Sequence, residues 1–316
     1  MCIRDSHYGW RVTPVRKLRA RDAGPVVGRI EHQLRADASR NSLVNPELDR
    51  QLLLDSLRHT ENSAWVYELD DDIGGHLYGA VLSDRCGPVS WTGPDGSSFD
   101  GAEVLDALLL EAVREWRGRG VKEHRVWCLS EPDRVMSWTD SGYSLFSVRG
   151  ARELVTHDSR SLPMGYSLRR GTPDDFERAI ELDAVLDTAQ AVDVRSKSSS
   201  ELAADQEDLF ATLNDLETHH YVVEFDKRVI AQCVTFPAPP RRGSFDNTLY
   251  LSEVVVDPHH QRRGVASAML DAALNDAIAK GFRYAEVQWR SANLGATLYW
   301  TSYGFHPTYV RLQRTL

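Results

Sequence analysis

The chemistry this sequence could perform is concentrated in the run Val254-Val255-Val256-Asp257-Pro258-His259-His260-Gln261-Arg262-Arg263-Gly264-Val265-Ala266. A β-branched stretch here gives way to a short loop and then to the start of a helix. The first turn of a helix carries backbone N–H groups that have no intrahelical partner, and it sits at the positive end of the macrodipole. Such a terminus receives phosphate oxygens readily. Gly264 lets a ligand come close to the backbone, Ala266 keeps the first turn narrow, and Arg262 and Arg263 add positive charge. On these residues alone, the chemistry is recognition of an anion, best a phosphate.

The elements that must position this loop are well marked. Val265, Met269, Leu270, Ala273, Leu274, Ala277 and Ile278 recur at helical spacing, and Gly281 terminates the helix. Stretches rich in β-branched and aromatic residues predict strands at Tyr221–Phe225, Val229–Phe236, Leu249–Val256 and Tyr284–Trp289, with Asp226-Lys227-Arg228 as a hairpin loop. Thr172-Pro173-Asp174-Asp175 opens a helix, with a capping residue, a proline at the first position and acids in the first turn. Arg195–Glu207 reads as a loop or short helix, and Pro237–Gly243 as a turn.

The pattern is written twice. Trp138-Thr139-Asp140-Ser141-Gly142-Tyr143 matches Trp300-Thr301-Ser302-Tyr303-Gly304-Phe305, and Trp65–Asp70 echoes Tyr221–Asp226 at a nearly equal offset. Between these anchors the first half carries its own amphipathic helix, on Val104, Leu105, Leu108, Leu109, Ala112, Val113 and Trp116, with strands at Trp65–Leu69, His76–Leu82 and His124–Leu129. Two copies of one domain are expected.

Gln261-x-x-Gly264-x-Ala266 after Val-Asp-Pro resembles the pyrophosphate loop of the GNAT superfamily of acyl-CoA-dependent acetyltransferases. Asn293-x-x-Ala296, followed by an aromatic and then Gly304-Phe305, resembles that superfamily's next helix. The resemblance implies an α+β fold: two tandem GNAT folds, each a mixed, mostly antiparallel sheet flanked by helices. Residues 11–155 would form a degenerate copy, 156–163 a linker and 164–316 the acetyltransferase domain. It further implies that pantetheine hydrogen-bonds along Val254, Val255 and Val256, with Asn293, Ala296 and Trp300 beside it. The diphosphate would rest on Gln261, Arg262, Arg263, Gly264, Val265 and Ala266. The cosubstrate would be acetyl-CoA, the acceptor a small amine attacked directly, and no metal would be needed. The two-copy organisation is similar to that of the mycothiol synthases. In the first copy, the matching segment Gly93–Ala102 holds two aspartates and no arginine, which would repel a diphosphate.

Two further positions bear on the reaction. In many family members a tyrosine four residues before Gly-Phe protonates the leaving thiolate, but here that position is Trp300, whose indole cannot deliver a proton. Tyr303, three residues on and nearly on the same helix face, is the candidate acid; Tyr299 lies about 100° around the helix. Glu253, the only acid in Leu249–Val256, is the candidate base, direct or through water, or else a solvated strand-end glutamate. Its alternation groups it with Leu251 and Val255, unless a bulge re-aims it.

The 316 residues suggest two domains, and 42% hydrophobic and 26% charged residues are ordinary for a globular protein. The net charge of −9 leaves no basic surplus for nucleic acid. Cys2, Cys86, Cys128 and Cys233 form no metal or redox motif. No apolar run is long enough to span a membrane, and Met1–Ser6, which is similar to a translated sequencing adaptor, has no signal-peptide core. A cytoplasmic monomer or homodimer is expected. A non-catalytic acetyl-CoA-binding sensor and a structural pairing protein without nucleotide are the rival readings.

Overall fold

The computed structural model describes residues 14–58, 63–84, 87–156, 158–190 and 199–316. Met1–Ser6, Cys2, Cys86 and residues 195–198 of the expected loop lie outside these. The chain forms two compact units. The first contains residues up to Arg40, Pro46–Leu145 and Arg311–Leu316; the second contains Asn41–Asn45 and Phe146–Val310.

The first unit runs β1 (Val15–Lys17), α1 (Ala23–Arg40), α2 (Arg50–Arg58), β2 (Ser63–Leu69), β3 (Asp72–Asp84), β4 (Gly87–Thr92), β5 (Ser97–Phe99), α3 (Ala102–Gly118), β6 (Glu123–Leu129) and α4 (Pro132–Asp140), and β7 (Ser144–Glu153) follows. The second continues through β8 (Tyr166–Arg170), α5 (Phe176–Gln190), α6 (Ser199–Asn214), β9 (His219–Phe225), β10 (Arg228–Pro237), β11 (Thr248–Val256), α7 (Val265–Ala279), β12 (Tyr284–Arg290), α8 (Leu294–Ser302) and β13 (His306–Thr315). The order of elements is the same in both, except that β5 is additional. The fold class is α+β. In the first unit the strands lie in the order β1-β2-β3-β4-β6, with β5 also on β3; in the second the order is β7-β12-β11-β10-β9-β8. Neighbours are antiparallel except β4–β6 and β11–β12.

The duplication extends to details that the sequence motifs do not show. Arg16 bridges Asp22 and Glu68 in the first copy, and Arg169 bridges Asp175 and Glu224 in the second. In both, the aspartate also closes a cap on the helix that follows the first strand. The Arg169 guanidinium is the main reason the Asp175 carboxyl is held down to about 2, despite its burial. The hairpin turns Asp70-Asp71 and Asp226-Lys227 share positive φ at both central residues, as a two-residue type I′ turn demands. Trp138 meets Tyr143 edge-on at 4.9 Å and 79°, and Trp300 meets Phe305 at 5.2 Å and 81°.

The units exchange chain relative to the sequence copies. Ser147–Glu153 of β7, written at the end of the first copy, pairs antiparallel with Tyr284–Arg290 of β12 in the second unit. Arg311–Leu316, written at the end of the second copy, belongs to the first unit, where the Leu316 N–H donates to Lys122 O at 2.8 Å.

Helix α7 is apolar nearly all round because it is buried; Ala268, Met269, Leu270, Ala273 and Leu274 are inaccessible. It packs on β9, β10 and β11. Leu182 of α5 joins Val222, Val229 and Val255 in another core cluster. Cys128 and Cys233 are free and buried, and burial pushes each thiol up to about 12, so they are inert. Among the described residues no helix is long and apolar enough to cross a membrane, and no group of three metal-ligating side chains occurs.

Candidate active site

Strands β11 and β12 pair in parallel only from Thr248–Leu251 against Tyr284–Val287. Beyond Leu251 and Val287 they part, leaving the β12-facing edge of Ser252–Val256 without a strand partner among the described residues. The parted strands open a cleft of about 820 Å³ lined by Val254, Val256, Gly264, Ala266, Gln288 and Trp300, among others. Buried backbone groups need partners. An extended ligand carrying amides, laid along this edge, would supply them.

The loop Asp257–Gly264 joins β11 to α7 at one end of the cleft. The Asp257 side chain accepts from the His259 N–H at 3.1 Å and is gripped by Arg178 at 2.7 Å. Gln261 turns back to the strand, donating from Nε2 to Val256 O at 3.0 Å, so its side chain shapes the loop. Arg262 has φ 60° and Gly264 φ 82°. The glycine is required by this left-handed backbone, and a Cβ built on it would meet nothing within 4 Å. The first N–H groups of α7 therefore open onto free space beside Arg262, a cradle that fits a diphosphate.

Glu253 is re-aimed by a bulge. Val234 pairs with Glu253 but its neighbour Thr235 pairs with Leu251, leaving Ser252 as the extra residue. Adjacent residues of β10 face opposite sides, so Leu251 and Glu253 do as well. Glu253 thus joins Val255 on the face covered by α5, whereas simple alternation would have grouped it with Leu251. Its Oε2 accepts from Gln232 Nε2 at 2.7 Å. Burial, and next the like charge of Asp183 on α5, push its carboxyl up to about 8. Asp187, one helical turn on, adds to the effect. Two aspartates at i and i+4 repel within a helix; that spacing in the sequence was the available sign that α5 presents charge to something.

Helix α8 holds the remaining candidates. Asn293 caps it, Oδ1 accepting from the Ala296 N–H at 2.9 Å, while Nδ2 donates to Ala189 O at 3.2 Å. Asn293 and Ala296 both line the cleft, and Trp300, nearly buried, forms its wall. Since Trp138 makes the same edge-on contact in the other copy, the indole at this position is a packing device in both.

Tyr303 is not brought to the cleft with these three, and the side chains of Glu253 and Arg263 do not line it either. Its hydroxyl donates to the buried Asp271 carboxylate of α7 and contacts Ser267 O at 3.1 Å. Burial and Asp271 raise its pKa, which disfavours ionisation. The three-residue spacing from Trp300 put it one helical turn on, but the helix rolls its hydroxyl toward α7. Tyr303→Phe is expected to cost about 1–3 kcal/mol of stability, because Asp271 loses a buried donor. Turnover per folded molecule stays within about threefold in the same variant, as no proton donor is removed. Thermal melting and active-fraction titration check the two halves of this statement.

The first copy has no such loop. Asp100 and Gly101 alone connect β5 to α3, and Asp100 pairs with Arg29 at 2.7 Å. Segment 97–99 instead adds to β3, and Phe99 lies against Trp138 with ring centroids 6.1 Å apart. His124 is buried between Thr92 and Tyr143, hydrogen-bonded to both, and burial pushes it down to about 3, so it stays neutral.

Residues 185–305 match the model of the Acetyltransferase (GNAT) family. The match spans β11, the anion loop, α7, β12 and α8. Among solved structures, the chain is similar to a GCN5-related N-acetyltransferase from Sphaerobacter thermophilus (15% identity, 95% of each chain covered, TM-score 0.61). It is similar also to a tandem GNAT protein from the clavulanic acid biosynthesis pathway (16% identity, 95% of this chain and 98% of that one, TM-score 0.52). These likenesses show that the fold is shared along nearly the whole chain. No curated protein matches the chain.

Proposed function

We propose that the chain transfers an acetyl group from acetyl-CoA to a small amine, at a single site in the second copy. The observation that carries this reading is the combination of parted strands and an open, glycine-lined helix terminus in one cleft. The domains would be a degenerate copy over residues 11–155, a linker at 156–163 and the transferase over 164–316. Val254, Val255 and Val256 would hold pantetheine, and the amides of Arg262, Arg263, Gly264, Val265 and Ala266 the diphosphate, with Gln261 bracing the loop. Asn293, Ala296 and Trp300 would wall the pantetheine arm.

In the reaction the amine nitrogen attacks the thioester carbonyl, the C–N bond forms, and the C–S bond breaks. Backbone N–H groups at the bulged strand would stabilise the oxygen as it gains charge. Glu253 would take the ammonium proton, directly or through water; a carboxylate poised near 8 is matched to that task at neutral pH. The thiol has an ordinary pKa of about 8.5 and leaves as thiolate without an acid. This fits Trp300 at the acid position and Tyr303 bound to Asp271.

Isothermal calorimetry is expected to show one coenzyme A per chain. The first copy has neither the loop nor an open helix terminus, so two equivalent sites would overturn the single-site reading. Because Trp300 stands at the acid position and the Tyr303 hydroxyl is bound to Asp271, an acetyl-CoA-binding sensor is the second reading. Tight binding with no acetylation across a broad panel of primary amines would favour it. No effect of coenzyme A on the melting temperature would instead favour a purely structural role.

A further inference from the structure

Near the anion loop, three side chains form a relay that the loop motif does not contain. Arg263 Nη1 donates to the Tyr166 hydroxyl oxygen at 3.3 Å, and that hydroxyl lies 2.9 Å from His260 Nδ1. A guanidinium can only donate, so the phenol oxygen accepts from Arg263, and its own proton is free to be donated to His260 Nδ1. A neutral histidine that accepts at Nδ1 carries its proton on Nε2, and is therefore a donor there. Phe225 holds the ring from the side, its centroid 5.2 Å from His260 and 4.7 Å from Tyr166. His260 lines the same cleft as Gln261, Arg262 and Gly264, directly before the cradle.

We infer that His260 is a side-chain donor to the diphosphate of the coenzyme, and that Tyr166 is a positioning residue which fixes its tautomer and the placement of Arg263. The inference rests on the coenzyme A reading above. Strand β8, at the edge of the sheet, thereby reaches the anion loop through one phenol. Backbone amides recognise the diphosphate by position; the relay adds an imidazole N–H donor and a cation whose directions are set before the ligand arrives. Binding then loses less side-chain entropy than with free side chains.

The test uses the full chain and three probes: coenzyme A, dephosphocoenzyme A, which lacks the 3′-phosphate, and pantetheine, which lacks the diphosphate. Tyr166→Phe is expected to weaken the first two about tenfold each and to leave pantetheine unchanged. His260→Leu should lose as much, and the double variant little more, because the two residues act as one unit. ¹⁵N NMR of the His260 ring should show the Nε2–H tautomer in the wild type and a mixture in Tyr166→Phe, a change that a merely structural tyrosine would not cause. Unchanged coenzyme A affinity in Tyr166→Phe, an equal loss for pantetheine, a loss confined to the ligand with the 3′-phosphate, or an Nδ1–H tautomer in the wild type would each overturn the inference. A wild-type chain that binds no coenzyme A would overturn the proposed function as well, which separates the two failures.

Discussion

Gly264→Glu is expected to bind no coenzyme A detectable by calorimetry, while Gly264→Ala still binds it. The cradle is open, since a Cβ at Gly264 meets no atom within 4 Å, so the free protein has room for either side chain. Both substitutions force a side chain into φ 82°, a strain of about 1–2 kcal/mol that lowers the melting temperature of each variant alike. Only the glutamate sets a negative charge and its bulk where the phosphates must lie, opposing the charge that a helix N-terminus favours. Comparing the two variants thus separates backbone strain from the ligand-facing effect. Equal affinity of the Glu variant and the wild type would put the phosphates elsewhere.

Glu253→Gln is expected to lower kcat/KM about 10²–10⁴-fold against the best acceptor of an amine panel, the usual contribution of a general base. Only the ionised carboxylate accepts a proton, so the wild-type rate should climb as pH passes through about 8, and the variant should lose that rise. The same carboxyl predicts a stability profile that needs no acceptor. Its folded pKa of about 8 is raised above the ordinary carboxylate value of about 4.3. Between these pH values the folded chain keeps a proton that the unfolded chain has released. Stability from this group is therefore full below about pH 4 and is lost as pH rises through 8. The variant, which mimics the protonated group, should gain melting temperature over the wild type progressively from pH 5 to pH 8 and then level off. A constant difference across that range would mean that Glu253 is solvated and ordinary.

The parts of the fold that are local in the sequence were legible there. The periodicity of Val265–Ile278, the β-branched strands and the repeated Trp-to-aromatic segment each specify an element by residue type alone, and the elements fall where those signals put them. The anion loop was equally plain because glycine, a strand end and a helix start must be contiguous to make it. What escaped depends on contacts between distant segments. No spacing rule joins Arg169 to Glu224, or Tyr166 to His260, and the bulge at Ser252 is invisible until β10 shows which residues it opposes. Tyr303 marks the limit of helical-wheel reasoning. Spacing from Trp300 gave its approximate face, yet the partner of its hydroxyl was fixed by Asp271, a fully buried acid of α7. The Gly93–Ala102 segment looked unsuited to phosphate by charge; the structure gives the stronger reason, which is that residues 97–99 of the connection are drawn into the sheet as β5.

The exchange of strand segments has a consequence for how the chain is made. A ribosome delivers the first copy complete in sequence, and domains ordinarily fold as they emerge. Here the first unit gains Arg311–Leu316 only after every residue of the second unit has been translated. The second unit meanwhile finds its β12 partner already synthesised, in Ser147–Glu153. Completion is thereby inverted relative to order of synthesis: the last residues of the two units to be translated complete the earlier-coded unit.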